Sequence, residues 1–444
     1  MEAVSAANKS EERGAPYGWA LLTALAVGVL YVLTLAPTAA FWDASEYITA
    51  AHVLGIPHPP GNPLFVVLGR ASEVILGPTG LSVAVRMNLF SATMSALAHG
   101  FWFLVVHTIL QRFSQGRVFP LVGAFISVWV SATAFTVWNQ SNVNEKVYTV
   151  SLLTIAVLSW LAVHWREHLG KGRDFKLVIL MVFVSALSAG NHLMALLAVP
   201  ALALFVFLVH PRTLLEWKLY AAAAVAVVLG LSIHLYLPIR AGLGPIVDEA
   251  SPTCGSLGGA LISLLTWGNA GCEGLSDALN RRMYVQPPML SRQAPLHLQI
   301  ANYLQYFDWQ WAKSVDGTKV LFSAVRLPFS LLFTGLGVYG AIQHFRRDRE
   351  SWWYFFVLFS TLSLALVFYL NFKYGFSIPD PTGNMAFHEV RERDYFYIVS
   401  FSVWGLWAGM GCVALWKALA SKGRKGYLKT TPVLLLAALP LTLN

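Results

Sequence analysis

Charge is scarce in this sequence. Only 12% of its 444 residues are Asp, Glu, Lys or Arg, about half the share found in soluble proteins, and mean hydropathy is +0.58. That deficit excludes an ordinary soluble domain. Cysteine is scarce too, with three in the chain, which excludes a disulfide-dense secreted scaffold and a multi-cysteine metal cluster. No CxxC, HExxH, GxGxxG or Walker-type run occurs, so zinc-ribbon, metalloprotease and nucleotide-binding readings have no basis. No cleavable signal peptide is expected either, because a polar stretch precedes the first apolar run and that run has no cleavage-like small-residue site. Internal repeats and low-complexity tracts are also lacking.

Long apolar runs dominate instead. Eleven stretches approach or exceed the length needed to cross a hydrocarbon core, at about 17–36, 82–110, 118–138, 147–164, 177–190, 193–209, 219–238, 321–343, 351–370, 395–416 and 430–444. The fold class expected is therefore an all-α polytopic membrane protein of about 11 helices. With residues 1–16 as a cytoplasmic tail, the short basic segments around Arg346-Arg347-Asp348-Arg349 and Lys422-Gly-Arg424-Lys425 fall inside, as the positive-inside rule requires. The net charge of +9 is thus a topology signal, and no nucleic-acid partner is needed to explain it.

This topology leaves three long extracytoplasmic segments, 37–80, 239–320 and 371–394. The first is the most informative. It holds Phe41-Trp-Asp-Ala-Ser-Glu-Tyr47 and Ile56-Pro-His-Pro-Pro-Gly-Asn-Pro63, read as two interfacial helices at 43–55 and 62–76 hinged by the proline run.

Asp43 and Glu46, three residues apart, share a helix face. Such a pair suits proton abstraction by one carboxylate with the other orienting the acceptor; it equally suits a capping box with Asp43 as N-cap. His58, held between prolines, is stiffly presented and could donate to a phosphate or sugar, or be a lone surface histidine. Arg391 and Arg393, beside Glu392 and Asp394, place positive charge outside a span. They suit phosphate binding by guanidinium forks or a self-neutralising turn; Arg240 follows the same logic. Arg86, Asn88, Asn191, His192 and Tyr395 could line a cavity, although Asn191 and His192 also fit a turn between spans. Tyr303, Tyr306 and Trp309 could stack on sugar or acceptor, or anchor at the interface. Cys254 and Cys272 share one outer loop and could form a disulfide.

The runs Trp42-Asp-Ala-Ser-Glu-Tyr47, Leu54-Gly-Ile-Pro-His-Pro-Pro-Gly-Asn-Pro-Leu64, Tyr236-Leu-Pro-Ile-Arg240 and Arg391-Glu-Arg-Asp-Tyr395 resemble one family of GT-C membrane glycosyltransferases. It includes the animal protein O-mannosyltransferase acting on IPT domains, with bacterial relatives catalogued as a domain of unknown function. The resemblance implies a GT-C bundle over 17–444 and an inverting transfer of a sugar, expected to be mannose. The donor would be a polyprenyl- or dolichyl-phosphate sugar and the acceptor a protein Ser or Thr hydroxyl. It makes Asp43 the base, Glu46 the positioning acid, and Arg391, Arg393, His58 and Arg240 the donor-phosphate ligands. No cofactor is required, and a divalent metal on the two acids is the alternative. Family members continue into a soluble outer domain, which is expected to be missing after Asn444. The expected location is a multi-pass membrane setting, a bacterial inner membrane rather than the endoplasmic reticulum, with membrane lipids as partners and the active site outside. A flippase of lipid-linked sugars and a non-catalytic lipid-binding scaffold are the competing readings.

Overall fold

The computed structural model describes residues 14–40, 42–114, 116–144, 146–172, 174–284, 288–318, 321–375, 377–378, 388–420 and 424–444. Most of the 1–16 tail and part of the 371–394 segment lie outside these. Helices make up nearly all the regular structure, and among the described residues the only β pairing is two isolated parallel bridges, Ile56 with Asp248 and Tyr374 with His388.

Each apolar run of the sequence falls on helix. Among the described residues, six helices are long and apolar enough to cross a membrane: Val83–Gln111, Tyr148–Glu167, Trp217–Gly242, Arg349–Leu370, Asp394–Leu419 and Lys425–Leu443. The expected span at 118–138 is two helices, Val118–Ala132 and Phe135–Asn142, bent by 73° against each other, and makes a seventh if taken as one. The other expected spans are helical but shorter or less apolar, as at Tyr17–Leu33, Asp174–Ser188, Leu193–Val209 and Leu327–Arg347. Length and composition thus give six or seven crossings where the apolar runs suggested eleven.

The Ile398–Leu419 helix is the core of the bundle, packed between Val118–Ala132 and Leu327–Arg347. Small residues let these backbones close up, as membrane helices require when water cannot drive their association. A Cβ on Gly409 would sit 2.2 Å from Ser127 Cα, and one on Gly411 would sit 1.9 Å from the Leu336 carbonyl oxygen. Buried hydroxyls bridge helices with one another, as between Ser131 and Ser402 at 2.7 Å and between Ser159 and Tyr354 at 2.7 Å. Large apolar side chains on Tyr17–Leu33 and Trp217–Leu231 face outward, which suits a hydrocarbon surround.

At one end, Arg166 forks onto buried Asp348 at 2.7 and 2.9 Å. The opposite end gathers the segments that follow or precede helices at 36–62, 142–147, 236–249 and 388–397. The two helices expected at 43–55 and 62–76 are present as Ala44–Val53 and Pro63–Ile75. Gly61 between them has φ +83° and its missing Cβ would strike Leu237 at 2.6 Å, so only glycine fits that bend.

Candidate active site

Two tethers build the site. Fully buried Asn88 donates to the Ala36 and Thr38 carbonyls at 2.9 and 3.0 Å and accepts from the Asn144 backbone N–H at 2.8 Å. It thereby holds together the segments leading to Asp43 and to Lys146. On the other side, Tyr47 donates to Asn62 Oδ1 at 2.8 Å, and Asn62 donates in turn to the Asn191 carbonyl. Asn191 then donates to the Val147 carbonyl at 3.1 Å and to Ser151 Oγ at 3.0 Å. The proline run, the 190–192 turn and the start of the Tyr148–Glu167 helix are locked in one frame.

Asp43 occupies the N-cap position of Ala44–Val53 but makes no side-chain cap hydrogen bond. Its carboxylate turns away to two cations, with Oδ2 at 2.5 Å from Lys146 Nζ and 2.8 Å from Arg391 Nη2. Among the described residues Oδ1 carries no hydrogen bond. The capping-box reading fails here: neither acid points at the helix's free N–H groups. Burial pushes the Asp43 carboxyl up, but the Lys146 and Arg391 pairings outweigh it and hold the pKa at about 2.

Glu46 takes His58 as its partner. It accepts the His58 backbone N–H at 2.6 Å, and both its oxygens lie 2.9–3.0 Å from Nδ1. That geometry puts the ring proton on Nδ1 and leaves Nε2 as an acceptor, 3.4 Å from Lys146 Nζ and 3.4 Å from the Tyr47 hydroxyl. Burial raises the Glu46 pKa, and its hydrogen bonds from His58 bring it net below the usual carboxylate range.

Asp43, Glu46 and His58 present ligand atoms within 4.8 Å of one another, close enough to hold a cation. The charges beside them oppose a divalent ion, since Lys146 and Arg391 already neutralise Asp43. The donor set fits a metal in spacing and disfavours one in charge.

The remaining expected residues scatter. Arg391 joins the site and also lies over the Trp42 and Tyr395 rings at 5.1 and 5.3 Å. Arg393 instead turns to Glu389 at 2.8 Å and covers Phe372, so the self-neutralising turn describes Arg393 and not Arg391. Arg240 donates to the Leu54 carbonyl at 2.8 Å; it closes the end of Ala44–Val53, whose final residues lack helical partners, and is not turned to Asp43. Arg86 is bound to buried Glu73 at 2.7 Å, which His52 also meets at 3.0 Å. His192 caps the next turn by accepting from the Met194 N–H at 3.1 Å. Tyr395 is buried against Tyr148, with ring centroids 4.9 Å apart.

Stacking by Tyr303, Tyr306 and Trp309 is corrected by burial. All three are at most 4% exposed, because the Leu296–Ala312 helix lies inside the assembly: Tyr303 packs on Tyr397 and Phe401, and Tyr306 donates to Glu392 at 2.7 Å. Cys254 and Cys272 are joined as a disulfide.

Two cations were not singled out from the sequence. Lys146 stands in a polar break, Asn142-Val-Asn-Glu-Lys146, between apolar runs, and that break was the available signal. Arg281 sits inside a long loop with nothing in sequence to distinguish it from Arg282.

Residues 43–215 match the family described as Protein O-mannosyl-transferase TMEM260 N-terminal domain. The likeness covers that segment alone. It begins at Asp43 and contains Glu46, His58 and Lys146, while Arg281 and Arg391 lie beyond it. The mouse protein described as Protein O-mannosyl-transferase TMEM260 is 29% identical over 218 residues, covering 49% of this chain and 29% of the relative. A Dictyostelium discoideum protein of the same description is 24% identical over 228 residues, covering 49% of this chain and 27% of the relative. The alignments thus span less than a third of the length of these relatives.

Proposed function

We propose that the chain is an inverting GT-C glycosyltransferase that moves mannose from a polyprenyl-phosphate carrier to a Ser or Thr hydroxyl of a protein on the extracytoplasmic face. The observation that carries this reading is the Asp43 carboxylate, its Oδ2 fixed by Lys146 and Arg391 and its Oδ1 unengaged. The likeness of residues 43–215 to protein O-mannosyl-transferases supports the same reaction class.

The chemistry follows from the arrangement. The acceptor hydroxyl lies against Asp43 Oδ1 and attacks the anomeric carbon as the bond from that carbon to the phosphate oxygen breaks. Its proton passes to Asp43, and the carrier leaves as lipid phosphate. A carboxylate with a pKa near 2 takes a proton only late in the attack, when the hydroxyl has become acidic. An arriving phosphate draws Lys146 and Arg391 part-way off Asp43, and its basicity then rises. Glu46 orients the sugar or hydroxyl, and His58 fixes Glu46. Lys146 and Arg391 absorb the charge of the departing phosphate. No metal enters this course.

A lipid-linked donor is supported by an apolar cavity of about 610 Å³ among the Asp174–Ser188, Val199–Val209 and Trp217–Leu231 helices. Leu193, which follows His192 in the chain, and Trp267 are among its lining residues.

The test is release of polyprenyl phosphate from polyprenyl-phosphate mannose or its glucose counterpart in detergent, with an acceptor domain supplied. Mannose-dependent release that falls about 10²- to 10⁴-fold in Asp43→Asn is expected. Equal release by wild type and variant would remove Asp43 from the chemistry, and no release from a folded wild type would favour a flippase or scaffold.

A further inference from the structure

Arg281 stands at the left-handed C-cap of the short Glu273–Asn280 helix, with φ +54°. The other end of that helix is fixed, because its N-cap is Cys272, bonded to Cys254. The helix and its neighbour Leu257–Leu265 form a stapled pair docked on the bundle through Leu237, Leu264 and Leu275. Holding a non-glycine residue at positive φ costs free energy that the surrounding structure must meet.

Among the described residues, the Nε and Nη2 of Arg281 are buried and form no hydrogen bond, and no carboxylate pairs with the guanidinium. The groups within its electrostatic reach include Tyr47, Tyr369, Tyr148, Tyr284 and His192, and Tyr284 in turn packs edge-on to His58 at 6.2 Å. Burial pushes its pKa down, the expected effect on a cation taken from water without compensation. Of the other arginines considered for phosphate, Arg393 is engaged by Glu389 and Arg240 by backbone carbonyls, and Arg391 reaches a phosphate only by loosening its pair with Asp43. Nε and Nη2 form one edge of the fork, the edge that takes two oxygens of a phosphate side by side.

We propose that Arg281 is the principal ligand for the phosphate of the lipid-linked donor, held ready by the disulfide-stapled helix pair. This rests on the donor class proposed above. His192 lies within electrostatic reach of Arg281, and the adjacent Leu193 lines the apolar cavity, so a phosphate at Arg281 has an apolar space for its hydrocarbon chain one residue from a group it reaches. The sugar then extends toward Asp43 and Glu46.

Wild type, Arg281→Ala, Arg281→Lys and Arg393→Gln, each checked by thermal unfolding, are titrated with polyprenyl phosphate, polyprenol of the same length and inorganic phosphate. The expected result is a loss of polyprenyl-phosphate affinity of about 10- to 100-fold in Arg281→Ala, partial retention in Arg281→Lys, none lost in Arg393→Gln, and unchanged polyprenol binding throughout. If Arg281→Ala fails to fold, the Lys variant carries the comparison, since it keeps the charge and loses the fork. Equal polyprenyl-phosphate affinity in wild type and the Arg281 variants overturns the assignment and leaves the donor class standing. A wild type that does not bind polyprenyl phosphate overturns both. Inorganic phosphate binding through Arg281 as tightly as the lipid makes the ligand a free anion and overturns the lipid assignment.

Discussion

At the residue scale, Asp43 is defined by the asymmetry of its two oxygens. Both cations converge on Oδ2, which fixes the group's orientation and its charge, while Oδ1 accepts no hydrogen bond among the described residues. The pairing also makes Asp43 a source of acid sensitivity. Its folded pKa, about 2, lies below the ordinary 3.8, so its contribution to stability is complete above pH 4 and is lost as pH falls toward 2. Thermal unfolding of wild type and Asp43→Asn should therefore show a gap that is constant from pH 7 to 5 and narrows below 4; a gap still undiminished at pH 2 contradicts the ion pairing. Trp309 makes the opposite case. It is buried, with Lys313 Nζ 3.3 Å from its ring centre, so Trp309→Leu is expected to cost about 0.5–3 kcal/mol of stability and leave the donor KM unchanged. A raised KM with unchanged stability would restore sugar stacking.

Elements matter here through their ends. Ala44–Val53 presents Asp43 and Glu46 from its first turn while Arg240 closes its last, so the acidic pair and the structural cation occupy opposite termini. Asn88, within the Val83–Gln111 helix, binds two loop segments at once. Asn88→Ala should lower turnover by misplacing Asp43 against Lys146, and Asn88→Asp, which keeps the acceptor for Asn144 N–H, should recover part of it. The Glu273–Asn280 helix is the disulfide's client. Closing an eighteen-residue separation contributes about 3 kcal/mol against local unfolding. Cys254→Ser with Cys272→Ser, or treatment with a reductant, is therefore expected to raise the donor KM far more than it lowers kcat. An unchanged KM would mean that the stapled pair plays no part in donor binding.

At the scale of the whole molecule, the four segments that supply Asp43, Lys146, Arg281 and Arg391 gather at one end of the bundle. The proposed topology places that end outside. Glu249→Cys should then react with a membrane-impermeant maleimide in intact cells, and Lys171→Cys only after permeabilisation; the reverse labelling inverts the topology. The charge balance of the site bears on the metal question as well. With Asp43 already neutralised by two fixed cations, EDTA should leave donor turnover unchanged, and recovery of lost turnover by a divalent ion would assign Asp43, Glu46 and His58 as its ligands.

By itself the sequence determined that the chain is a helical membrane protein, through its shortage of charge and its apolar runs. It also determined that Asp43, Glu46 and His58 form one cluster, because they lie close in sequence and local geometry suffices to bring them together. The positions of the interfacial helices were legible for the same reason, with proline and glycine marking the hinge. Tertiary structure alone decided which cations serve those acids. Arg391 and Arg393 are two residues apart and chemically alike, yet backbone direction sends one to Asp43 and the other to Glu389. Lys146 and Arg281 reach the site only because distant segments are folded onto the same end, and their electrostatic value depends on burial and partners that sequence does not encode locally. The aromatic run at 303–311 failed as a sugar platform for the same reason: exposure is a property of the assembled bundle, not of the helix that carries the rings.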